Sequence, residues 1–348
     1  MKKFSYYFLL CFSLLYFSLS VGAQQNHGKK NFKVVCYNVE NYFDCVDDTL
    51  KNDAEYLPGG MRGWNYTKYQ AKQNNIAKVI TAIGGWNTPA LVGLCEVESE
   101  KCLTDLTRYS GLRSLKYEFV HFESPDTRGV DVALLFDPNQ FTPTHKEAIG
   151  IFFPQAPSAK TRDVLLVSGI VPTGDTLHVF VGHWPSRLGG ELESENRRIA
   201  VASTIRLKVD SLFSVSPAAN IIIMGDFNDY PDNRSLTEVL KARHPNEAID
   251  KVNLYNLTYP LHLNGKGTHK YDGEWGVLDN FVVSGNLLNT SNRICTHTTN
   301  DTHIFNADFL LEDDLTHLGK KPFRTYVGMK YNNGYSDHLP IFVDFWYE

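Results

Sequence analysis

The segment Asn220-Ile221-Ile222-Ile223-Met224 is apolar at four successive positions and then breaks abruptly into Gly225-Asp226-Phe227-Asn228. Side chains along a strand alternate between two faces, so an unbroken apolar run calls for a sheet covered on both sides. Residues 32–39, 90–97, 117–122, 130–136, 164–171, 177–183, 277–283 and 341–345 also read as strands, by length and by β-branched or aromatic content. Pro172-Thr173-Gly174-Asp175 joins two of them as a hairpin.

Between the strands the period changes. Ile76, Val79, Ile80 and Ile83 share one face of an expected helix over 67–83, which Gly84-Gly85 stops. Leu103 and Leu106 mark a second helix over 99–109. Ile199, Ala202, Ile205, Val209 and Leu212 mark a third over 194–213. At 348 residues the chain could hold two domains, yet no linker, charge block, low-complexity tract or repeat divides it. The simplest organisation is one α/β domain, 24–348.

Residues 1–23 stand apart. Lys2 and Lys3 precede an apolar run from Tyr6 to Leu19, and Val21-Gly22-Ala23 supplies small residues ahead of Gln24. This is the layout of a cleaved signal peptide, and it implies export to the periplasm or the cell exterior. The competing reading, an uncleaved anchor, suffers from interrupting serines and a run shorter than the ~20 residues a spanning helix needs.

The formal charge is -5, from 34 basic and 39 acidic residues, and loss of the leader removes two lysines and no acid. Such a chain lacks the broad basic field of a tight, processive DNA binder, while a locally positive cleft remains compatible with it. Cys36 and Cys95 fall in strand-like runs and read as buried thiols, whereas Cys45 and Cys102 could form one bridge. With Cys295 the set after the leader is odd, and no CxxC pair supports a zinc ribbon.

Polar residues recur where the apolar runs end. Asn38 and Glu40 close the first strand, Glu96 and Glu98 the next, and His183 the hairpin; Asp226 and Asn228 follow the 220–224 run. Asp279 lies within Val277-Leu278-Asp279-Asn280-Phe281, and Asp337-His338 precedes Leu339-Pro340-Ile341. In α/β domains such ends converge on one rim, where ligands bind. Carboxylates without a Cys/His cage suit Mg²⁺ or Mn²⁺ better than Zn²⁺, and metal-assisted chemistry on a phosphate follows naturally. Taken singly, Asp226-Phe227-Asn228 is more often a turn with an Asx cap.

The ordered set resembles the endonuclease/exonuclease/phosphatase superfamily, which includes deoxyribonuclease I. The matching segments are Cys36-Tyr37-Asn38-Val39-Glu40-Asn41, Leu94-Cys95-Glu96-Val97-Glu98, Gly182-His183-Trp184-Pro185-Ser186-Arg187, Met224-Gly225-Asp226-Phe227-Asn228-Asp229, Leu278-Asp279-Asn280-Phe281 and Ser336-Asp337-His338-Leu339-Pro340. The resemblance implies two mixed β-sheets packed as a sandwich with helices outside. By motif, Glu96 would be the principal metal ligand, with Asn38, Glu40 and Asp337 beside it. Asp226 would deprotonate the attacking water, and Asn228 would hold Asp226 and a phosphate oxygen. His338, oriented by Asp279, and His183 would contact the scissile phosphate. Arg128, Arg187 and Arg324 are candidate phosphate contacts, each equally readable as a solvated loop arginine.

The resemblance also narrows the substrate. Inositol polyphosphate 5-phosphatases carry Gly-Asp-x-Asn-Tyr-Arg and Trp-Cys-Asp-Arg, where this chain has Gly225-Asp226-Phe227-Asn228-Asp229-Tyr230 and Gly276-Val277-Leu278-Asp279-Asn280-Phe281. Intracellular repair nucleases conflict with the leader. What remains is an exported Mg²⁺- or Mn²⁺-dependent nuclease, a sphingomyelinase-like lipid phosphodiesterase, or a binding protein that kept the fold without the chemistry. No membrane wedge stands out, which favours nucleic acid as substrate, and no stable protein partner is implied. The polar, aromatic-bearing segments 44–66 and 286–335 are where specificity is expected.

Overall fold

The structure, a computed structural model, describes residues 28–296 and 301–348. The expected leader lies outside the described residues. In chain order the main strands are β1 (Lys30–Tyr42), β2 (Leu91–Val97), β3 (Glu118–His121), β4 (Asp131–Phe136), β5 (Thr142–Ile149), β6 (Val164–Ile170), β7 (Thr176–His183) and β8 (Asn220–Asp226). Along β1, Phe32, Val34 and Cys36 enter one apolar layer while Val35, Tyr37 and Val39 enter another. In β8, Ile222 and Met224 face one layer and Ile221 and Ile223 the other. Both strands are covered on both sides, as their unbroken apolar runs require.

Two seven-stranded sheets share the central layer. One runs Ile294–Cys295, Ile341–Tyr347, β1, β2, β4, β3, with Thr302–Ile304 also on the Ile341–Tyr347 strand. The other runs β5, β6, β7, β8, Asp279–Ser284, Leu254–Asn256, Ala242–Arg243. Both are mixed: β1 is parallel to β2 and β7 to β8, while β2 and β4 are antiparallel, as are β6 and β7. Helices α1 (Tyr66–Gly84) and α2 (Glu100–Tyr109) cover the outside of the first sheet, and α3 (Glu191–Val215) covers the second. Asn65 caps α1 by accepting from the Lys68 amide at 3.1 Å, and Ser99 caps α2 through the Cys102 amide.

This topology gathers the polar strand ends. β1, β2, β7 and β8 finish on the same edge, where His183 pairs in register with Asp226 and Asp226 with Asp279. The Ile341–Tyr347 strand starts opposite Cys36, so Asp337-His338 arrives at that edge too.

Three features go beyond or depart from the sequence reading. β5 was not anticipated, because as an edge strand it is mostly exposed and carries no apolar pattern. The Cys45–Cys102 bridge that the sequence left open is absent: both are free thiols, Cys102 buried with its Sγ 3.5 Å from the Tyr42 carbonyl. Segment 286–335 is no plain loop; it contains two small hairpins, Leu311–Asp313 with Lys320–Pro322 and Tyr326–Val327 with Lys330–Tyr331.

Candidate active site

Glu40, Asn41, Glu96 and Asn228 all have positive φ, between 51° and 65°, and all lie at the strand ends. Side chains avoid this region at a cost of ~1–3 kcal/mol each, and such strain gathers where function dictates geometry. Ladder irregularities between Asn38 and Tyr42 and between Cys95 and Val97 accompany it, turning Glu40 and Glu96 out of the regular pleat. Gly225 makes the close approach of β7 and β8 possible: a Cβ there would lie 1.8 Å from the Gly182 carbonyl oxygen.

Asp226 is the hub. Its Oδ1 accepts from the Asn228 amide at 2.9 Å and its Oδ2 from Asn38 Nδ2 at 3.0 Å. Two imidazoles face the same Oδ2, His183 Nε2 at 3.6 Å and His338 Nε2 at 3.7 Å. His338 Nδ1 lies 2.7 Å from Asp279 Oδ2, completing a buried carboxylate–imidazole–carboxylate line. Asn228 Nδ2 donates to the Trp184 carbonyl at 3.1 Å, which ties the β8 turn to the chain after β7.

Burial divides these groups electrostatically. It raises the Asp226 carboxyl to about 7, with Asp279 adding to the rise and His338 opposing it. Burial works against a charged His338, but Asp279 and then Asp226 overcome it and hold the imidazole well above its ordinary range. His183 goes the other way: burial, reinforced by Arg162 and Arg128, keeps it well below that range, and its Nδ1 is buried without a partner. The surroundings thus favour the charged form of one histidine and the neutral form of the other beside a single carboxylate.

Glu96 Oε2 accepts from the Asn41 amide at 2.8 Å. Its Oε1 faces His183 Nε2 at 3.8 Å and Arg128 Nη2 at 3.9 Å, beyond hydrogen-bond reach. Glu40 and Asp337 lie beside it but are joined by Arg324, which donates to Glu40 Oε1 at 3.1 Å and Asp337 Oδ2 at 2.9 Å. The other Glu40 oxygen accepts from the Thr325 amide. Among the candidate arginines Arg128 is half-exposed at the rim, whereas Arg187 is engaged with the chain, donating to the Asn228 carbonyl, Glu191 and Asn233.

The sequence reading missed three residues here. His269 lies beside His338 with ring centroids 4.8 Å apart and planes tilted by 40°, and burial followed by His338 pushes it down to about 4. Lys72, fully buried on α1, reaches Thr325 Oγ1 and the Tyr335 carbonyl. Arg162 holds the His183 and Trp184 carbonyls and Asp126. A lysine among the apolar positions of an amphipathic helix was the one available signal. Trp64 and Trp184 are core residues, Trp184 stacked on Phe227 at 4.3 Å.

Residues 33–346 match the Endonuclease/Exonuclease/phosphatase family. The chain belongs to that family. Its members are hydrolases acting on phosphoester bonds and generally depend on a divalent metal. No curated protein matches the chain. Solved structures show the same fold at low identity. The human Nocturnin catalytic domain is 17% identical over 90% of this chain and 94% of its own, with a TM-score of 0.52. A humanized D. rerio TDP2 is 14% identical over 90% and 98%, at 0.54. A mannosyl-6-phosphatase from Bacteroides thetaiotaomicron is 15% identical over 90% and 99%, at 0.52.

Proposed function

We propose that this family member is an exported, divalent-metal-dependent phosphodiesterase acting on nucleic acid, with Asp226 as general base and His338 as the cation on the scissile phosphate. The observation that carries the reading is the Asp226 Oδ2 environment, with Asn38 at 3.0 Å and two imidazole nitrogens at 3.6 and 3.7 Å. A carboxylate titrating at about 7 is matched to removing a proton from water near neutral pH. Positively charged His338, fixed by Asp279, supplies charge where a phosphorane-like oxygen develops it. Neutral His183 offers a hydrogen bond from the opposite side, and Asn228 fixes the base.

The donor set fits a hard ion. Glu96 presents an oxygen free of hydrogen bonds, and Asn38 supplies a second oxygen donor, its Oδ1 accepting from the Glu40 amide. Glu96 and Asn38 would hold Mg²⁺ or Mn²⁺, with Glu40 and Asp337 behind them holding Arg324. When bound, the ion neutralises non-bridging phosphate oxygens. Arg128 is the rim arginine free to meet a second phosphate.

A second reading, a lipid phosphodiesterase, has one observation in its favour: Leu188 and Leu192, next to the chain after β7, are 90% and 77% exposed. Purified protein offered DNA, RNA, sphingomyelin, bis-p-nitrophenyl phosphate and sugar phosphomonoesters with Mg²⁺ or Mn²⁺ separates these readings. Nucleic acid should be hydrolysed fastest, with activity lost to a chelator and restored by the ion. Full activity after exhaustive chelation overturns the metal assignment. Faster cleavage of sphingomyelin or of a monoester overturns the substrate.

A further inference from the structure

His121 is the last residue of β3 and Asp131 the first of β4, so the pair closes the two ends of one loop. His121 is in register with Ala133, and Asp131, two residues earlier, shares that face of the sheet. Glu123 lies two residues beyond His121. One ligand atom from each of His121, Glu123 and Asp131 falls within 4.8 Å of the others.

Two of those atoms lack partners. His121 Nε2 and Asp131 Oδ2 are 3.6 Å apart, both buried and neither hydrogen-bonded. Asp131 is 1% exposed. Its Oδ1 accepts from the Ser124 amide at 3.1 Å, which leaves Oδ2 aimed at the imidazole. A buried carboxylate oxygen without a donor is costly and calls for an explanation. Lys51 does not supply one, since its Nζ donates to the Ser124 and Asp126 carbonyls.

We propose that His121, Glu123 and Asp131 form a second divalent-cation site, separate from the phosphoester rim and taking a borderline ion of the Zn²⁺ and Co²⁺ class. Imidazole nitrogen with carboxylate oxygens suits such ions and is a poor match to Mg²⁺. The ion clips the ends of the loop between β3 and β4. That loop carries Asp126, which holds Arg162 and through it the His183 and Trp184 carbonyls, and Arg128 at the rim. Occupancy therefore orders a segment that positions the phosphate-contacting side of the cleft.

The test is Co²⁺ titration of the metal-stripped full-length protein, read by visible absorption, with Zn²⁺ competition and a thermal melt. Glu123→Gln is the key variant because Glu123 is exposed and its loss does not threaten folding. Losing an outer partner of a metal site already costs ~10–100-fold in affinity, so Glu123→Gln and His121→Gln should each weaken Co²⁺ at least tenfold. Zn²⁺ should raise the melting temperature of the parent and not of Glu123→Gln. Glu96→Gln should keep the Co²⁺ signal. Co²⁺ binding indifferent to both Glu123 and His121, or abolished by Glu96→Gln, overturns the site.

Discussion

Asp226 is kept where its charge is least welcome. Its carboxyl titrates at about 7 in the folded chain against an ordinary 3.8. Between those values the folded chain holds a proton that the unfolded chain has released, so stability falls as pH rises through the window and is lowest above it. Asp226→Asn should therefore melt at or above the parent temperature at pH 8 in metal-free buffer while kcat drops by ~10²–10⁴. A turn-capping role predicts the reverse, lower melting with near-normal turnover, and one preparation gives both, melted without metal and assayed after the ion is added. His338 and Asp279 make a sharper case because they predict an interaction. With Asp279 raising the imidazole against burial, His338→Ala and the double variant with Asp279→Ala should be about equally slow, as for groups acting as a unit. Asp279→Asn alone should shift the alkaline limb of the pH–rate profile to lower pH. Rates that multiply, or a limb that stays in place, would separate the two residues.

Most of the candidate residues reach the rim at or near the end of an element, which made the site legible from the sequence. Asn38, Glu96, His183, Asp226, Asp279 and His338 each interrupt an apolar run that burial on both faces makes conspicuous, and the structure brings them together at one edge. What stayed hidden lacks that contrast. β5 is exposed, the hairpins of 311–331 use two- or three-residue strands, and Lys72 and Arg162 are buried cations that sequence alone reads as surface charge. His269 reaches His338 through an isolated bridge far along the chain, a pairing no local pattern encodes. Gly225 shows how the elements depend on one another. Its φ of 151° and the 1.8 Å approach to the Gly182 oxygen mean that a methyl group must push β7 from β8. Gly225→Ala should cost about 2–4 kcal/mol by denaturant unfolding and should also lower kcat in the folded fraction, since His183 and Asp226 are register partners across that gap. Loss of stability with unchanged kcat would mean that the site tolerates a wider strand spacing.

On the scale of the whole molecule, the charge balance constrains how a polyanion can be held. The chain is acidic, -5 overall, and the rim's arginines are mostly engaged: Arg324 between Glu40 and Asp337, Arg187 on Asn228, Glu191 and Asn233. Arg128, with 47% of its side chain exposed and only 3.9 Å contacts to Glu96 and Asp126, is placed to meet a backbone phosphate beyond the one at the reaction centre. Counterion release scales with the number of phosphates neutralised, with a slope near -0.9 per contact for duplex DNA. If binding runs through Arg128 and the catalytic cation alone, log(1/KM) against log[salt] should have a slope of about -1 to -2, not the -6 or steeper of a protein lined with basic residues. Arg128→Gln should flatten that slope by about one while leaving kcat for bis-p-nitrophenyl phosphate nearly intact, because a small diester has no second phosphate for Arg128 to bind. A steep slope in the parent would reveal a basic track along the nucleic acid that these side-chain pairings do not leave available. A slope unaffected by Arg128→Gln would place the second contact elsewhere on the rim.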